Sequence, residues 1–219
     1  MDLKNKGIVF DMDGVIIDSE PIHLKCDKGA LEAFGVKVTD QEMEEFVGVA
    51  NPEMWTTLIE RHQLNTTVEK IVAVQDQLKA QHFNKDNITV MPGLEELLDL
   101  LEEKGYRIGL ASSSPRYFIE MVLENLNVKE RFDGVLSGEE VEKGKPAPDV
   151  YLKAAEVIGV DPEKCMAVED ATAGVRAAKS AGMYTIGFQN PNSGNQDLSE
   201  ADLIVTRHRE IVEIIKSLD

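Results

Sequence analysis

Short runs of apolar, β-favouring residues recur along the chain at residues 7–10, 106–111, 164–168, 183–188 and 201–205. A strand that is apolar throughout has no polar face to give to water, so these runs predict a sheet covered on both sides. Between them lie stretches of helical period with marked ends. Pro92-Gly93-Leu94 opens one whose apolar positions are Leu94, Leu97, Leu98 and Leu101, and Gly105 closes it. Others run over 148–159, 172–182 and 207–218, the last with Ile211, Ile214, Ile215 and Leu218 on one face. Strand and helix alternate from residue 106 onward, the pattern of an α/β fold with an open parallel sheet, right-handed crossovers and helices on both faces.

Residues 18–86 break this alternation with four helical patterns in succession and no convincing strand. Thr39 with Glu42 and Thr66 with Glu69 have capping-box spacing, and Asn51-Pro52 reads as an N-cap followed by proline at the first helical position. The expected organisation is a core of residues 1–17 and 87–219 with a helical-bundle cap, 18–86, inserted after strand one. An insert there stands at the carboxyl end of the strand, where open α/β sheets bind ligands, so it predicts a lid over an active site.

Composition narrows the function classes. The 219 residues, 42% hydrophobic, suffice for a full core and exclude disorder as the main state. Forty acidic residues against 23 basic ones give a net charge of −17, which weighs against nucleic acids and anionic membranes as partners. No stretch approaches the roughly eighteen apolar residues of a membrane span, and the N-terminus lacks the apolar run of a signal peptide. The two cysteines, Cys26 and Cys165, are far apart in apolar settings and offer neither a disulfide framework nor a zinc cluster. A reducing cytoplasm is the expected location, and a monomer the default for a chain carrying its own lid.

Chemistry concentrates at the predicted strand ends. Asp11-Met12-Asp13-Gly14 follows strand one, and carboxylates two residues apart point the same way into the crevice. Such a pair can hold a hard cation or divide nucleophile and acid/base work. A calcium loop is disfavoured because its glycine stands at the sixth position, here the fourth. The next strand stops at Ser112-Ser113-Ser114, where a hydroxyl and backbone N–H groups at a helix start can grip phosphate oxygens. Lys145 lies in Gly144-Lys145-Pro146-Ala147-Pro148, a loop stiffened by two prolines. Val168 leads into Glu169-Asp170, a second carboxylate pair. Each has a plainer reading, as N-cap, solvated lysine or helix start, but together, in order on successive strands, they point to phosphate and metal.

Asp11 to Glu20, Ala111-Ser112-Ser113, Gly144 to Pro148 and Val168 to Gly174 resemble the four motifs of the haloacid dehalogenase-like hydrolases, in the branch of β-phosphoglucomutase and the sugar-phosphate phosphatases. The resemblance covers nearly the whole chain, the helical insert included. It implies a Rossmann-like core and an aspartyl-phosphate mechanism. Asp11 is then the nucleophile and Asp13 the acid/base, with Ser112 and Lys145 on the phosphoryl oxygens. Mg2+ is held by Asp11, the backbone carbonyl of Asp13, Asp170 and Glu169. The substrate is a small phosphorylated metabolite.

Two reactions share the first half of that mechanism: a phosphatase gives the phosphoryl group to water, a mutase to a second sugar hydroxyl. A mutase needs cations for the distal phosphate, and residues 18–86 hold seven Lys plus Arg against thirteen Asp plus Glu, Arg61 being the single arginine. The mutase insert carries an arginine after a Lys-Gly-Val run; here Phe46-Val47-Gly48-Val49-Ala50-Asn51 has neither cation. His23, which matches a mutase histidine, and Arg116 beside Ser114 point the other way. Asn51, Ser113, Ser114 and Trp55 complete the candidate substrate contacts, Trp55 being otherwise core of the insert beside Leu58 and Ile59. The expectation is a phosphatase for small sugar or polyol phosphates, with β-phosphoglucomutase as the alternative. A receiver-like phospho-switch, which also uses a strand-end aspartate, fits neither the length nor the insert.

Overall fold

The structure is a computed structural model that describes residues 6–46, 49, 51–83 and 87–218. Six strands form one parallel sheet: β1 (Gly7–Phe10), β4 (Arg107–Ser112), β5 (Gly134–Ser137), β6 (Cys165–Glu169), β7 (Tyr184–Phe188) and β8 (Leu203–Val205), in the order β5-β4-β1-β6-β7-β8. The central position of β1 explains its composition, since all four of its residues are buried. Its side chains alternate between two cores. Ile8 and Phe10 join a cluster with Leu97 and Leu101 of α5 (Leu94–Glu103), Ile119 and Val122 of α6 (Arg116–Asn125) and Ile211 and Ile215 of α9 (His208–Ser217). Val9 faces the other way, toward Tyr151, Ala154 and Ile158 of α7 (Asp149–Ile158) and Ala177 and Ala178 of α8 (Thr172–Ser180). The period of two along one strand thus covers both faces of the sheet with helices.

Between β1 and the rest of the sheet lie α1 (Glu20–Ala33), α2 (Asp40–Glu44), α3 (Asn51–Arg61) and α4 (Val68–His82). They pack around their own core of Ala30, Leu31, Met43, Met54, Trp55, Leu58 and Ile71. The chain leaves the sheet through β2 (Ile17–Asp18) and returns through β3 (Thr89–Val90), and these two strands pair antiparallel, Asp18 opposite Thr89. The two linkers of the helical insert are therefore stitched together at its base.

Some local expectations shift. β5 and the β2–β3 ribbon are absent from the apolar-run reading: β5 has only Val135 and Leu136 between a glycine and a serine, and the ribbon strands are two residues each. Thr39 does cap α2, its hydroxyl accepting from the Glu42 N–H. α4 is capped from Thr67 rather than Thr66, with no side-chain bond to the helix N–H groups. Asn51 is already helical, the first residue of α3. Among the described residues no helix is long and apolar enough to cross a membrane.

His208, at the start of α9, is fully buried against the Phe188 ring, centroids 4.8 Å apart, with the Pro92 backbone as a weak polar neighbour. Burial pushes its pKa down from 6.5 to about 4. Between these values the unfolded chain binds a proton that the folded one refuses, so stability is lost as pH falls from 6.5 toward 4. At a pH of about 5 this amounts to about 2 kcal/mol. Urea denaturation of the wild type and His208→Leu at mildly acidic and neutral pH will show the variant gaining about that much relative to the wild type on acidification; parallel pH profiles would rule the assignment out.

Candidate active site

Because β4, β1 and β6 are neighbours in register, their carboxyl ends bring Ser112, Asp11 and Glu169-Asp170 together. The Asp11 N–H continues the ladder, donating to Val168 O at 2.9 Å, which fixes the aspartate at the strand mouth. Asp11, Glu169 and Asp170 are all buried, and one carboxylate oxygen from each lies within 4.8 Å of the others.

Lys145 reaches into this group from the loop after β5. Its Nζ donates to Asp11 Oδ1 at 2.6 Å, Glu169 Oε1 at 2.5 Å and Ala111 O at 3.0 Å, and lies 5.1 Å from the centre of the Tyr151 ring. Burial opposes its charge, but Asp11 and Glu169 outweigh burial and its pKa is raised. The lysine is thus permanently charged. It does not suffice for three carboxylates. Burial, against the pull of Lys145 and with the repulsion of Glu169 and Asp170, holds Asp11 well above the carboxylate range. Burial and the charge of Glu169 push Asp170 up to about 7. A buried oxygen cluster with excess negative charge fits a hard divalent cation.

The groups around the cluster set its geometry. Tyr151 OH donates to Glu169 Oε1 at 2.8 Å, and Ala171 N to Oε2 at 3.2 Å. Ser193 Oγ donates to Asp170 Oδ2. Two glycines are required by these approaches: a Cβ on Gly14, whose φ is +76°, would stand 1.9 Å from Asp170 Oδ2, and one on Gly174 would meet the Glu169 carboxyl at the same distance.

Asp13 lies in a different environment. Its Oδ2 accepts from Ser114 Oγ at 2.9 Å and its Oδ1 lies 3.5 Å from His23 Nε2. Burial would raise its pKa, yet the hydrogen bonds and charge of these neighbours outweigh it and the pKa is lowered. The two aspartates of one motif are therefore split, Asp11 upward and Asp13 downward. Beyond His23 opens a cavity of about 910 Å3 between the helical insert and the loop after β7, with Asn51, Gln75 and Asn192 in its walls.

The remaining expected residues divide. Ser112 Oγ is buried and accepts from Ser114 N at 3.0 Å, the arrangement of a hydroxyl that organises its own loop. Ser113 is exposed beside it. Arg116 is bound to Glu140 at 2.6 Å, so its charge is already matched within the core. Trp55 is not a lid aromatic: it is fully buried in the core of the insert, because its side shares the apolar stripe of Leu58. Asp13 takes no part in the carboxylate cluster through its side chain, which faces His23 and Ser114. Val47, Gly48 and Ala50, in the segment compared with the mutase, lie outside the described residues.

Tyr151, Ser193 and Gln75 have no counterpart in the sequence reading. Tyr151 reads as one apolar position of α7. Ser193 lies in Asn190-Pro191-Asn192-Ser193-Gly194-Asn195, and a polar loop directly after a parallel strand was the available signal for it.

The chain is similar to known proteins over nearly its whole length. A Thermotoga maritima phosphorylated carbohydrates phosphatase is 30% identical over 218 residues, covering 97% of this chain and 99% of the relative. Hexitol phosphatase B of Escherichia coli is 32% identical over 188 residues, 85% of each. A crystal structure from Thermotoga maritima, provisionally described as a β-phosphoglucomutase, superposes with a TM-score of 0.84 at 29% identity and covers 98% of this chain and 100% of its own. The family model of the haloacid dehalogenase-like hydrolases matches residues 8–188, which takes in Asp11, Ser112, Lys145 and Asp170, and the chain belongs to that family.

Proposed function

We propose that the protein is a Mg2+-dependent phosphatase of small sugar or polyol monophosphates that works through a phosphorylated Asp11. The observation that carries this reading is the split pair at the end of β1: Asp11 inside a cationic and carboxylate cage, Asp13 two residues on, outside it, against His23 and Ser114.

Lys145 engages Asp11 Oδ1, which leaves Oδ2 to attack phosphorus. The bond to the leaving oxygen breaks as the Asp11–phosphorus bond forms, and that oxygen takes a proton from Asp13. The proton that Asp13 passes on is one its carboxyl has taken up from solvent, and His23 Nε2 at 3.5 Å and Ser114 Oγ at 2.9 Å fix that carboxyl in position for the transfer. In the second half Asp13, again a carboxylate, takes a proton from the water that attacks phosphorus, and Asp11 is released. Ionised Asp13 suits that step. Lys145, the Ser112 hydroxyl and the Ser113 N–H hold the phosphoryl oxygens, so the chain contributes alignment and charge neutralisation. Asp11, Glu169, Asp170 and the Asp13 backbone carbonyl would hold Mg2+, which when bound supplies positive charge against the phosphoryl oxygens. Residues 18–86 act as the lid, bearing His23 on one side and the cavity wall on the other.

The curated relatives named phosphorylated carbohydrates phosphatase and hexitol phosphatase B support this substrate class. The mutase reading has His23 beside Asp13 in its favour. The charge of the insert favours the phosphatase: Arg61, its single arginine, is bound to Glu42 at 3.2 Å and Glu45 at 3.0 Å. The small substrate and the self-contained lid fit a protein that acts as a monomer in the cytoplasm.

Two experiments test the reading. Asp11→Asn will lower phosphate release from p-nitrophenyl phosphate and a hexitol phosphate by about a thousandfold or more; retained turnover would remove Asp11 as nucleophile. Chelation will abolish wild-type turnover and Mg2+ restore it. In parallel, Mg2+ will raise the melting temperature of the wild type, by relieving the carboxylate excess, and Asp170→Asn will lose most of that response. A melting temperature indifferent to Mg2+ in the wild type would show that the cluster does not hold the ion.

A further inference from the structure

The cavity beyond His23 contains a hydrogen-bonded chain that crosses three helices of the insert. Gln75, on α4 and almost fully buried, donates through Nε2 to Asp27 Oδ1 on α1 at 2.5 Å. Its Oε1 accepts from Asn51 Nδ2 on α3 at 3.4 Å. Both ends of one buried amide are thereby used, which fixes its orientation and holds the Asp27 carboxylate and the Asn51 amide at the cavity wall. The facing wall, from the loop after β7, presents the neutral amides of Asn192 and Asn195.

Charge in this cavity is one-sided. Glu45 is matched by Arg61 at 3.0 Å. That leaves Glu20, Asp27 and Glu44 in the lining against Lys79 and the imidazole of His23, which stands at the Asp13 end of the cavity. A carboxylate can only accept hydrogen bonds, and an ionised phosphate can do little else. A sugar or polyol hydroxyl both donates and accepts, so it can give its proton to Asp27 and take one from an amide of Asn51 or Asn192. A phosphate in the same place would meet like charge at short range in a partly desolvated setting, with Lys79 as its cation.

We propose that Asp27, oriented by Gln75, is a specificity-determining residue that admits an uncharged polyhydroxyl tail into the cavity and rejects a second phosphate there. This rests on the phosphatase reading above and names which monophosphates it applies to: those whose end remote from Asp11 is neutral and rich in hydroxyls. It also supplies a reason why phosphoryl transfer should end on water. An intermediate phosphorylated at both ends would have to turn around and place its charged end among Glu20, Asp27 and Glu44.

The test compares kcat/KM for mannitol monophosphate, mannitol bisphosphate and p-nitrophenyl phosphate in the wild type, Asp27→Asn and Glu44→Gln. Glu44 is exposed on α2, so its substitution serves if Asp27→Asn does not fold. Asp27→Asn will lower the ratio of the monophosphate to p-nitrophenyl phosphate by about tenfold, as the loss of a hydrogen bond to a charged acceptor does. It will also narrow the preference for monophosphate over bisphosphate by about tenfold, and Glu44→Gln will narrow the latter alone, by a few-fold. If both ratios in folded variants equal those of the wild type, Asp27 does not select the tail, whatever the standing of the phosphatase reading. If the wild type releases phosphate from none of the monophosphates, the phosphatase reading itself fails and takes this inference with it.

Discussion

The contact on which the site depends is the ammonium of Lys145 held between Asp11 and Glu169. Three carboxylates share a buried volume in which one oxygen of each lies within 4.8 Å of the others. With an effective dielectric near 20, each pair of like charges at about 4 Å repels by about 4 kcal/mol. Lys145 touches two of the three, at 2.6 and 2.5 Å, and leaves Asp170 with the hydroxyl of Ser193. The remaining imbalance shows in Asp170, pushed up to about 7, and in Asp11, held high by its burial. The carboxylates are brought together by the register of β1 and β6, whose carboxyl ends they occupy. A buried carboxylate cluster with one ammonium for three acids suits a hard cation.

Much of this arrangement was legible in the sequence because it is local. Apolar runs gave five of the six strands of the main sheet, and the carboxyl-end rule then placed Asp11, Ser112 and Glu169-Asp170 in one crevice. Lys145 could be assigned because prolines on both sides of Ala147 mark a constrained loop. What stayed hidden depends on pairings between distant residues. Arg116 looked available until Glu140, 24 positions away, was seen to hold it. Trp55 could have faced the cavity or the core of the insert, and periodicity alone does not say which stripe of α3 meets α4. The chain Asn51–Gln75–Asp27 joins residues 24 and 48 positions apart, and although Asn51 stands out beside Pro52, nothing in the sequence ties it to Gln75 or Asp27. β5 escaped for another reason: Gly134-Val135-Leu136-Ser137 has only two apolar residues, between a glycine and a serine.

The loop after β7 links the two halves of the site mechanically. Asn190 Nδ2 donates to Gly14 O at 3.1 Å, Asn192 Nδ2 to Asp18 Oδ2 at 2.7 Å, and Ser193 Oγ to Asp170 Oδ2. One short segment therefore touches the turn that follows Asp11, the first strand of the ribbon leading into the helical insert, and the carboxylate that Lys145 does not reach. The same segment forms a wall of the cavity through Asn192 and Asn195. Asp18 of the ribbon and Asp170 of the carboxylate cluster are thus joined through one loop by direct hydrogen bonds rather than across the core.

The net charge of −17 gains its meaning from this division of labour. A protein so acidic draws no phosphate from a distance, and its steering field opposes one. Attraction is confined to the crevice, where Lys145 and a bound cation act at contact range and where burial strengthens them. Outside that crevice acids outnumber bases, thirteen to seven in residues 18–86, and the cavity beyond His23 continues the same excess, with Glu20, Asp27 and Glu44 against Lys79 and His23. The field thus orients a substrate that has charge at one end: its phosphate is tolerated only at Asp11, and its tail only where it is neutral. Selectivity of this kind needs no positively charged subsite and is indifferent to the length of the tail, provided that hydroxyls replace the water they displace from Asp27 and the facing amides.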